Sequence, residues 1–164
     1  TLDAPLREPG TLAEVVGAAV GGAAPAGPTD PREVMLADLE AYAEGQSVYA
    51  QANGGYYDLT ECLVTQSCVP GQAAVDTGLD ARFLEPVRHG YEFRLGLGPT
   101  PGSRGESASA TSTLRFAYFA LPVEGSPDTW GYCIERYRTI CRLDPALITS
   151  PPPFECPAEC EFVR

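Results

Sequence analysis

The sequence predicts an α+β domain in which one long N-terminal helix packs on a three- to four-stranded antiparallel sheet, with disulfides stapling the fold. Three observations support this fold class. Apolar residues recur at helical spacing over positions 31–52, they alternate with polar residues from position 91 onward, and six cysteines are present. Because the helix precedes consecutive strands, we expect it to cover one face of an antiparallel meander.

The predicted helix has clear signals at both ends. Asp30 is expected to cap it, Pro31 suits its first position, and Glu33 follows three residues after the cap. The helix should then run to about Ala52, where Asn53-Gly54-Gly55 supplies a left-handed stop. Its main apolar positions, at helical spacing, are Met35, Leu39, Tyr42 and Tyr49.

The strands are predicted from period-two alternation of apolar and polar residues. This signal marks positions 91–97 and 114–121, and two further runs at 130–135 and 139–143 are expected as strands. The last two flank Arg136-Tyr137-Arg138 and therefore predict a tight hairpin, although the usual turn glycine is missing.

Composition divides the chain into three parts. Residues 1–29 are rich in alanine, glycine and proline and are expected to form an arm or linker. Residues 30–150 should form the globular domain, and residues 151–164 a tail tethered by disulfides. The most apolar part of the arm contains Glu14 and Pro25, so it is not expected to span a membrane.

The net charge of the chain limits the classes of partner that we expect. Eleven basic and twenty-two acidic residues give the chain a net charge of −11. Such a surface repels phosphate backbones and anionic lipid headgroups, so nucleic acid and membrane surfaces are not expected as partners.

The cysteines predict disulfides and an oxidising, extracellular location. An even number of cysteines in a small chain rich in glycine and proline favours disulfides. The sequence has no C-x-x-C pair that would support a zinc site. The close pairs are Cys62 with Cys68, Cys133 with Cys141, and Cys156 with Cys160. Pairing within these close pairs is expected, but it is one of several connectivities that six cysteines allow.

No catalytic set is predicted. His89 is the single histidine and stands at the start of a strand, while the serines at 103–112 lack a nucleophile elbow. Two acidic pairs, Asp58 with Glu61 and Glu155 with Glu159, do not have the spacing of an EF-hand. We therefore expect no enzyme activity, no metal and no cofactor.

Four segments, in their order along the chain, carry a resemblance to a known family. They are the helix end with its turn (41–59), Gly90-Tyr91-Glu92-Phe93-Arg94-Leu95, Phe116-Ala117-Tyr118-Phe119-Ala120-Leu121-Pro122, and a closing hairpin (132–140). In this order they resemble the globular part of type IV pilins and of the pseudopilins of type II secretion. The chain departs from that family by lacking its long apolar N-terminal helix and the acidic-x-x-Gly turn near the end of its sheet.

The resemblance implies a structural subunit of an extracellular pilus-like filament or of a secretion pseudopilus. Its partners would be copies of itself. If the missing helix lies on another polypeptide, this chain would be the outer half of a two-chain pilin, and a short hydrophobic helical chain would be a further partner. The implied assembly interface comprises Val15, Val16 and Val20 on the arm and Met35, Leu39, Tyr42 and Tyr49 on the helix.

The alternative is a secreted adhesin or ligand-binding module with the same fold. Eight tyrosines could supply an exposed aromatic surface for a sugar or a protein, although about half of them are expected in the core. They are Tyr42, Tyr49, Tyr56, Tyr57, Tyr91, Tyr118, Tyr132 and Tyr137.

Overall fold

A computed structural model describes residues 30–65, 68–102, 105–106 and 108–163. Its helices are α1 (Pro31–Ala52) and α2 (Thr60–Thr65), with 3₁₀ turns at Ala81–Leu84 and Pro145–Leu147. Its strands are β1 (Val87–Arg88), β2 (Tyr91–Leu97), β3 (Phe116–Pro122), β4 (Gly131–Glu135), β5 (Cys141–Leu143) and β6 (Glu161–Phe162). The α+β class is confirmed, but α1 is a short helix of 22 residues rather than the long N-terminal helix that was expected.

Helix α1 begins and ends where the sequence predicts. The side chain of Asp30 accepts a hydrogen bond from the backbone N–H of Arg32 at 2.9 Å, which satisfies a donor that the first turn leaves unpaired. Asn53 is the C-cap residue, and Gly54 after it has a φ of 67°, a conformation that glycine adopts without steric cost.

The sheet has six strands rather than three or four, arranged in chain order and all antiparallel. The two additional strands are the edge strands β1 and β6, which have two residues each. A segment of two residues is too short to show the alternation of apolar and polar residues that predicts a strand. β1 and β6 are strands because they pair with β2 and β5. In the β4–β5 hairpin, Arg138 takes a φ of 63°, so it replaces the expected turn glycine.

The inner face of the sheet packs against α1. The ring of Tyr42 stacks on Tyr118 of β3 with 3.6 Å between centroids, and Phe93 and Ile134 belong to the same core. The inner core therefore consists mainly of the apolar face of α1 and the bulky residues of β2 to β4.

This packing corrects the assembly interface expected on the helix. Met35, Leu39, Tyr42 and Tyr49 are at most 2% exposed, so they are not available to another subunit. The most regular apolar stripe of a helix is the one that its own sheet buries first. The three expected arm residues, Val15, Val16 and Val20, lie outside the described residues.

The outer face of the sheet is covered by residues 144–163, which we name the strap. Phe119, Leu121 and Leu143 of the sheet form a second core with Ile148 of the strap, and Cys156 and Cys160 pack against it. A Cβ atom at Gly96 of β2 would lie 1.7 Å from the carbonyl oxygen of Pro153, so glycine is required where the strap crosses β2. The expected tail is therefore a structural layer that ends as β6.

The disulfides agree only in part with the expected pairing. Cys62 pairs with Cys68, as expected, but Cys133 pairs with Cys156 and Cys141 with Cys160. Cys133 and Cys141 are opposite each other in the β4–β5 register, and both belong to the outer core under the strap. The strap brings a cysteine to each of them, and the resulting bridges close longer loops, which stabilises more than closing short ones.

Candidate interaction surface

Most of the exposed aromatic side chains lie beside the β4–β5 hairpin turn and the strap. Among the described residues, the exposed aromatics are Trp130, Tyr137, Phe154 and Phe162, and each lies on the strap or next to β4 and β5. Tyr137 is 66% exposed and Phe162 is 78% exposed. We name these four residues and their surroundings the strap face. Exposed aromatic side chains that share a groove, as Tyr137 does with Phe162 and with Phe154, are a feature of interaction sites.

A groove of about 320 Å³ runs along the strap face between the hairpin turn and the strap. The Cys141–Cys160 and Cys133–Cys156 bridges contribute to its floor, and Tyr137 and Phe162 line it. Glu135 and Thr139 add polar groups. A second groove of about 240 Å³ shares Tyr137 and Glu135 with the first and contains Arg136. The arrangement offers apolar area together with a few hydrogen-bonding groups, as binding clefts do.

The groove is held by several cross-links besides the disulfides. Arg142 donates to Glu161 at 2.7 Å, and the backbone N–H of Val163 donates to the carbonyl of Ile140 at 2.9 Å. Arg115 pairs with Glu155 in the middle of the strap. A surface fixed in this way loses little conformational entropy when it binds a partner.

Two arginines stack on the exposed aromatics. The Arg136 guanidinium lies 4.6 Å from the ring centroid of Tyr137, and that of Arg142 lies 4.9 Å from Trp130. Tyrosine, tryptophan and arginine are the residues that most often dominate protein interfaces. The composition of the strap face is therefore that of a contact surface.

The acid Asp58 is fully buried in a cluster of hydroxyl groups. Its carboxylate accepts hydrogen bonds from Ser109 at 2.5 Å, Thr111 at 2.6 Å, Ser112 at 3.2 Å and Tyr49 at 3.2 Å. Ser109 and Ser112 are at most 2% exposed, so a substrate has no access to them. The cluster joins the loop before β3 to α1, so its role is to stabilise the fold.

A polar groove lies at the start of α1. Asp128 accepts hydrogen bonds from Tyr132 at 2.7 Å and Tyr91 at 2.8 Å, and the backbone N–H of Trp130 donates to its other oxygen at 3.0 Å. Burial opposes ionisation of Asp128, but these hydrogen bonds outweigh it and lower the pKa of its carboxyl. Burial, and then the hydrogen bond to Asp128, raise the pKa of Tyr132 to about 12. Both Asp128 oxygens already have donors.

His89 lies at the exposed turn between β1 and β2, with a φ of 54°. Its Nε2 is 3.4 Å from Asp38, which also pairs with Arg88 at 3.0 Å. The Arg88 guanidinium is 3.9 Å from the ring centroid of Phe93, so this ion pair helps to hold β1 and β2 against α1. Ser126 lines the same groove as His89, but no hydrogen bond joins the two side chains among the described residues.

The structure separates the acidic residues that the sequence analysis considered in pairs, and it buries most of the tyrosines. Asp58 is enclosed among hydroxyls whereas Glu61 is exposed on α2, so the two do not form a cation site. Glu155 pairs with Arg115. No group of three acidic, cysteine or histidine residues suited to a metal occurs in the described part of the chain. Five tyrosines are buried, namely Tyr42, Tyr49, Tyr91, Tyr118 and Tyr132.

Sequence reasoning missed most of the strap face. Tyr137 was among the candidate surface tyrosines, but Trp130, Phe154 and Phe162 were not singled out. Aromatic residues beside cysteines and prolines in a C-terminal segment are the signal that could have indicated them.

None of the helices within the described residues is long and apolar enough to cross a membrane. Comparison of the chain with protein-family models, with curated proteins and with solved structures finds no match.

Proposed function

We propose that this chain is a structural subunit of an extracellular filament, either a pilus-like fibre or a secretion pseudopilus. The observation that carries the proposal is the order of the four segments that resemble type IV pilins. They correspond to the end of α1, to β2, to β3 and to the β4–β5 hairpin, all in one meander packed on one helix. An assembly subunit of this kind uses surfaces rather than a catalytic centre, and it needs no cofactor.

The disulfides support a location outside the cytoplasm. Three bridges link all six cysteines, and such bridges persist in oxidising compartments. The partners under this proposal are further copies of the chain. A short hydrophobic helical chain is a further partner if the apolar core helix lies on a separate polypeptide.

The surfaces that remain for assembly differ from those first expected. Because α1 uses its apolar face inside the domain, the surfaces that we consider for contacts between subunits are its outer face, the strap face and the arm at residues 1–29, which lies outside the described residues. The strap face is the largest concentration of exposed aromatic side chains in the described part of the chain. It is therefore the leading contact surface.

A secreted ligand-binding module is the second candidate. The observation that favours it is the groove of about 320 Å³, with Tyr137 and Phe162 beside polar Glu135 and Thr139. An aromatic ring next to hydrogen-bonding groups suits a sugar ring or a peptide. Screening the chain on glycan and peptide arrays, with Tyr137→Ala as the matched control, tests this candidate.

The protein composition of purified surface fibres tests the leading proposal. Fibres sheared from cells that produce this chain should contain its peptides as a major or stoichiometric component when digested and analysed by mass spectrometry. Cells from which its gene is deleted should lose the fibres or that component. Recovery of the chain only as a monodisperse monomer, with none in fibres, would contradict the proposal and favour the binding module.

A further inference from the structure

The turn of the β4–β5 hairpin is a small basic and aromatic projection, which we name the tip (Arg136, Tyr137 and Arg138). All three residues are exposed. Arg138 pairs with Glu44 of α1 at 2.5 Å, so the tip is anchored beside the helix. Among the arginines that the structure describes, Arg136 is the one without a carboxylate within 4.0 Å. Its guanidinium stays over Tyr137 and keeps its charge available.

The outer side of α1 has the opposite character. It carries Glu33, Ala37, Glu40, Ala41 and Glu44, which we name the α1 stripe. Residues three and four apart lie on one face of a helix, so the alanines form a shallow apolar strip with carboxylates beside it. Glu33, Ala37 and Glu40 are exposed, and Glu44 is half-exposed at its pair with Arg138.

We infer that the tip docks on the α1 stripe of a second copy of this chain. The ring of Tyr137 would cover Ala37 and Ala41, and Arg136 would gain the carboxylate partner that its own molecule does not provide. This inference rests on the proposed function, since it names the contact by which subunits meet.

Charge complementarity identifies a second copy as the occupant. At a net charge of −11, copies of the chain repel each other over most of their surfaces, so a contact must join the rare basic projections to acidic ones. In the tip, Arg138 is already paired with Glu44 of its own molecule, which leaves Arg136 as the basic residue for the contact, and the α1 stripe presents the exposed Glu33 and Glu40 around Ala37. Small side chains also admit a ring at close range. If the tip of each copy binds the α1 stripe of the next copy head to tail, the contact is heterologous and extends into a filament unless it closes.

Charge reversal and its compensation test the contact. Sedimentation velocity of the disulfide-intact chain over a concentration series measures self-association. Arg136→Glu and Glu40→Arg should each raise the dissociation constant by about tenfold or more, and the double variant should recover most of the loss. Tyr137→Ala should weaken association by a similar factor because it removes the aromatic anchor. Arg94→Glu, an equal charge change on β2, is the matched control and should leave association nearly unchanged.

Several outcomes of these measurements would overturn the inference. A wild-type chain that stays monomeric at all concentrations overturns the inference, as does equal weakening by Arg136→Glu and Arg94→Glu or a double variant that recovers nothing. Circular dichroism and intact mass establish that each variant is folded with its three disulfides. Incorporation of Arg136→Glu into surface fibres at the wild-type level would overturn the tip contact and leave the filament function standing. Absence of the wild-type chain from all fibres would instead remove the proposed function.

Discussion

Replacing Asp58 tests whether the hydroxyl cluster holds the loop before β3 in place. The carboxylate is fully buried and accepts from the side chains of Ser109, Thr111, Ser112 and Tyr49 and from the backbone N–H of Leu59. Asp58→Ala removes all these acceptors and leaves buried hydroxyls without a partner. A hydrogen bond to a charged group contributes about 1.5–3 kcal/mol and such losses are not additive, so we expect the free energy of unfolding to fall by about 3–5 kcal/mol.

The isosteric change Asp58→Asn separates charge from shape. Asparagine keeps one acceptor oxygen, but its NH₂ group is a donor that faces the hydroxyls, which must then reorient. We therefore expect the free energy of unfolding to fall by about 2 kcal/mol. Urea unfolding of the disulfide-intact protein measures both values. The control is Asp76→Asn, because Asp76 accepts a hydrogen bond from the backbone N–H of Gly78 in an exposed turn. This change should lower the free energy of unfolding by less than about 0.5 kcal/mol. A loss below about 1 kcal/mol for Asp58→Ala would refute the reasoning.

Three further predictions concern the strap and the pH dependence of stability. Disulfide mapping of the non-reduced chain should find Cys141 linked to Cys160, and replacing both by serine should lower the free energy of unfolding by about 3 kcal/mol for a separation of 19 residues; a Cys133–Cys141 peptide would contradict the strap. Gly96→Ala should displace the strap from β2, because its Cβ would overlap the carbonyl of Pro153, and hydrogen exchange at the amides of Phe154, Glu155 and Cys156 should rise by more than in the sheet; unchanged exchange at these three amides would show that the crossing is not close. The lowered pKa of Asp128 in the folded state means that its contribution to stability is present above the ordinary carboxyl pKa of about 4 and is lost as pH falls through the folded value. Urea midpoints measured from pH 6 downward should therefore depend less on pH for Asp128→Asn than for the wild type, and parallel curves would count against this linkage.

Local chemistry explains why much of the fold could be predicted. The cap at Asp30 and the stop at Asn53 act on the backbone of neighbouring residues, so α1 could be delimited from the sequence. Strand β2 spans Tyr91–Leu97 as the alternation indicates. In β3 every residue but the last is buried, because the strap covers the face that a two-layer fold would expose to solvent.

The strap itself could not be predicted because it depends on contacts far apart in the chain. Nothing near Gly96 indicates that Pro153 will cross it, and cysteine spacing does not show that Cys133 and Cys141 both face a third segment. The same limit applies to the interface expected on α1. A periodic apolar stripe indicates that a helix face is buried, but it does not say whether the sheet of the same chain or another subunit buries it.

Cryo-electron microscopy of fibres sheared from producing cells tests the filament proposal most directly. The account predicts helical fibres whose repeating density fits α1 and the six-stranded sheet, with the tip of one subunit against the α1 stripe of the next. Fibres without this domain, together with a chain that is found only as free monomers, would contradict the account and assign the strap face to a soluble binding module.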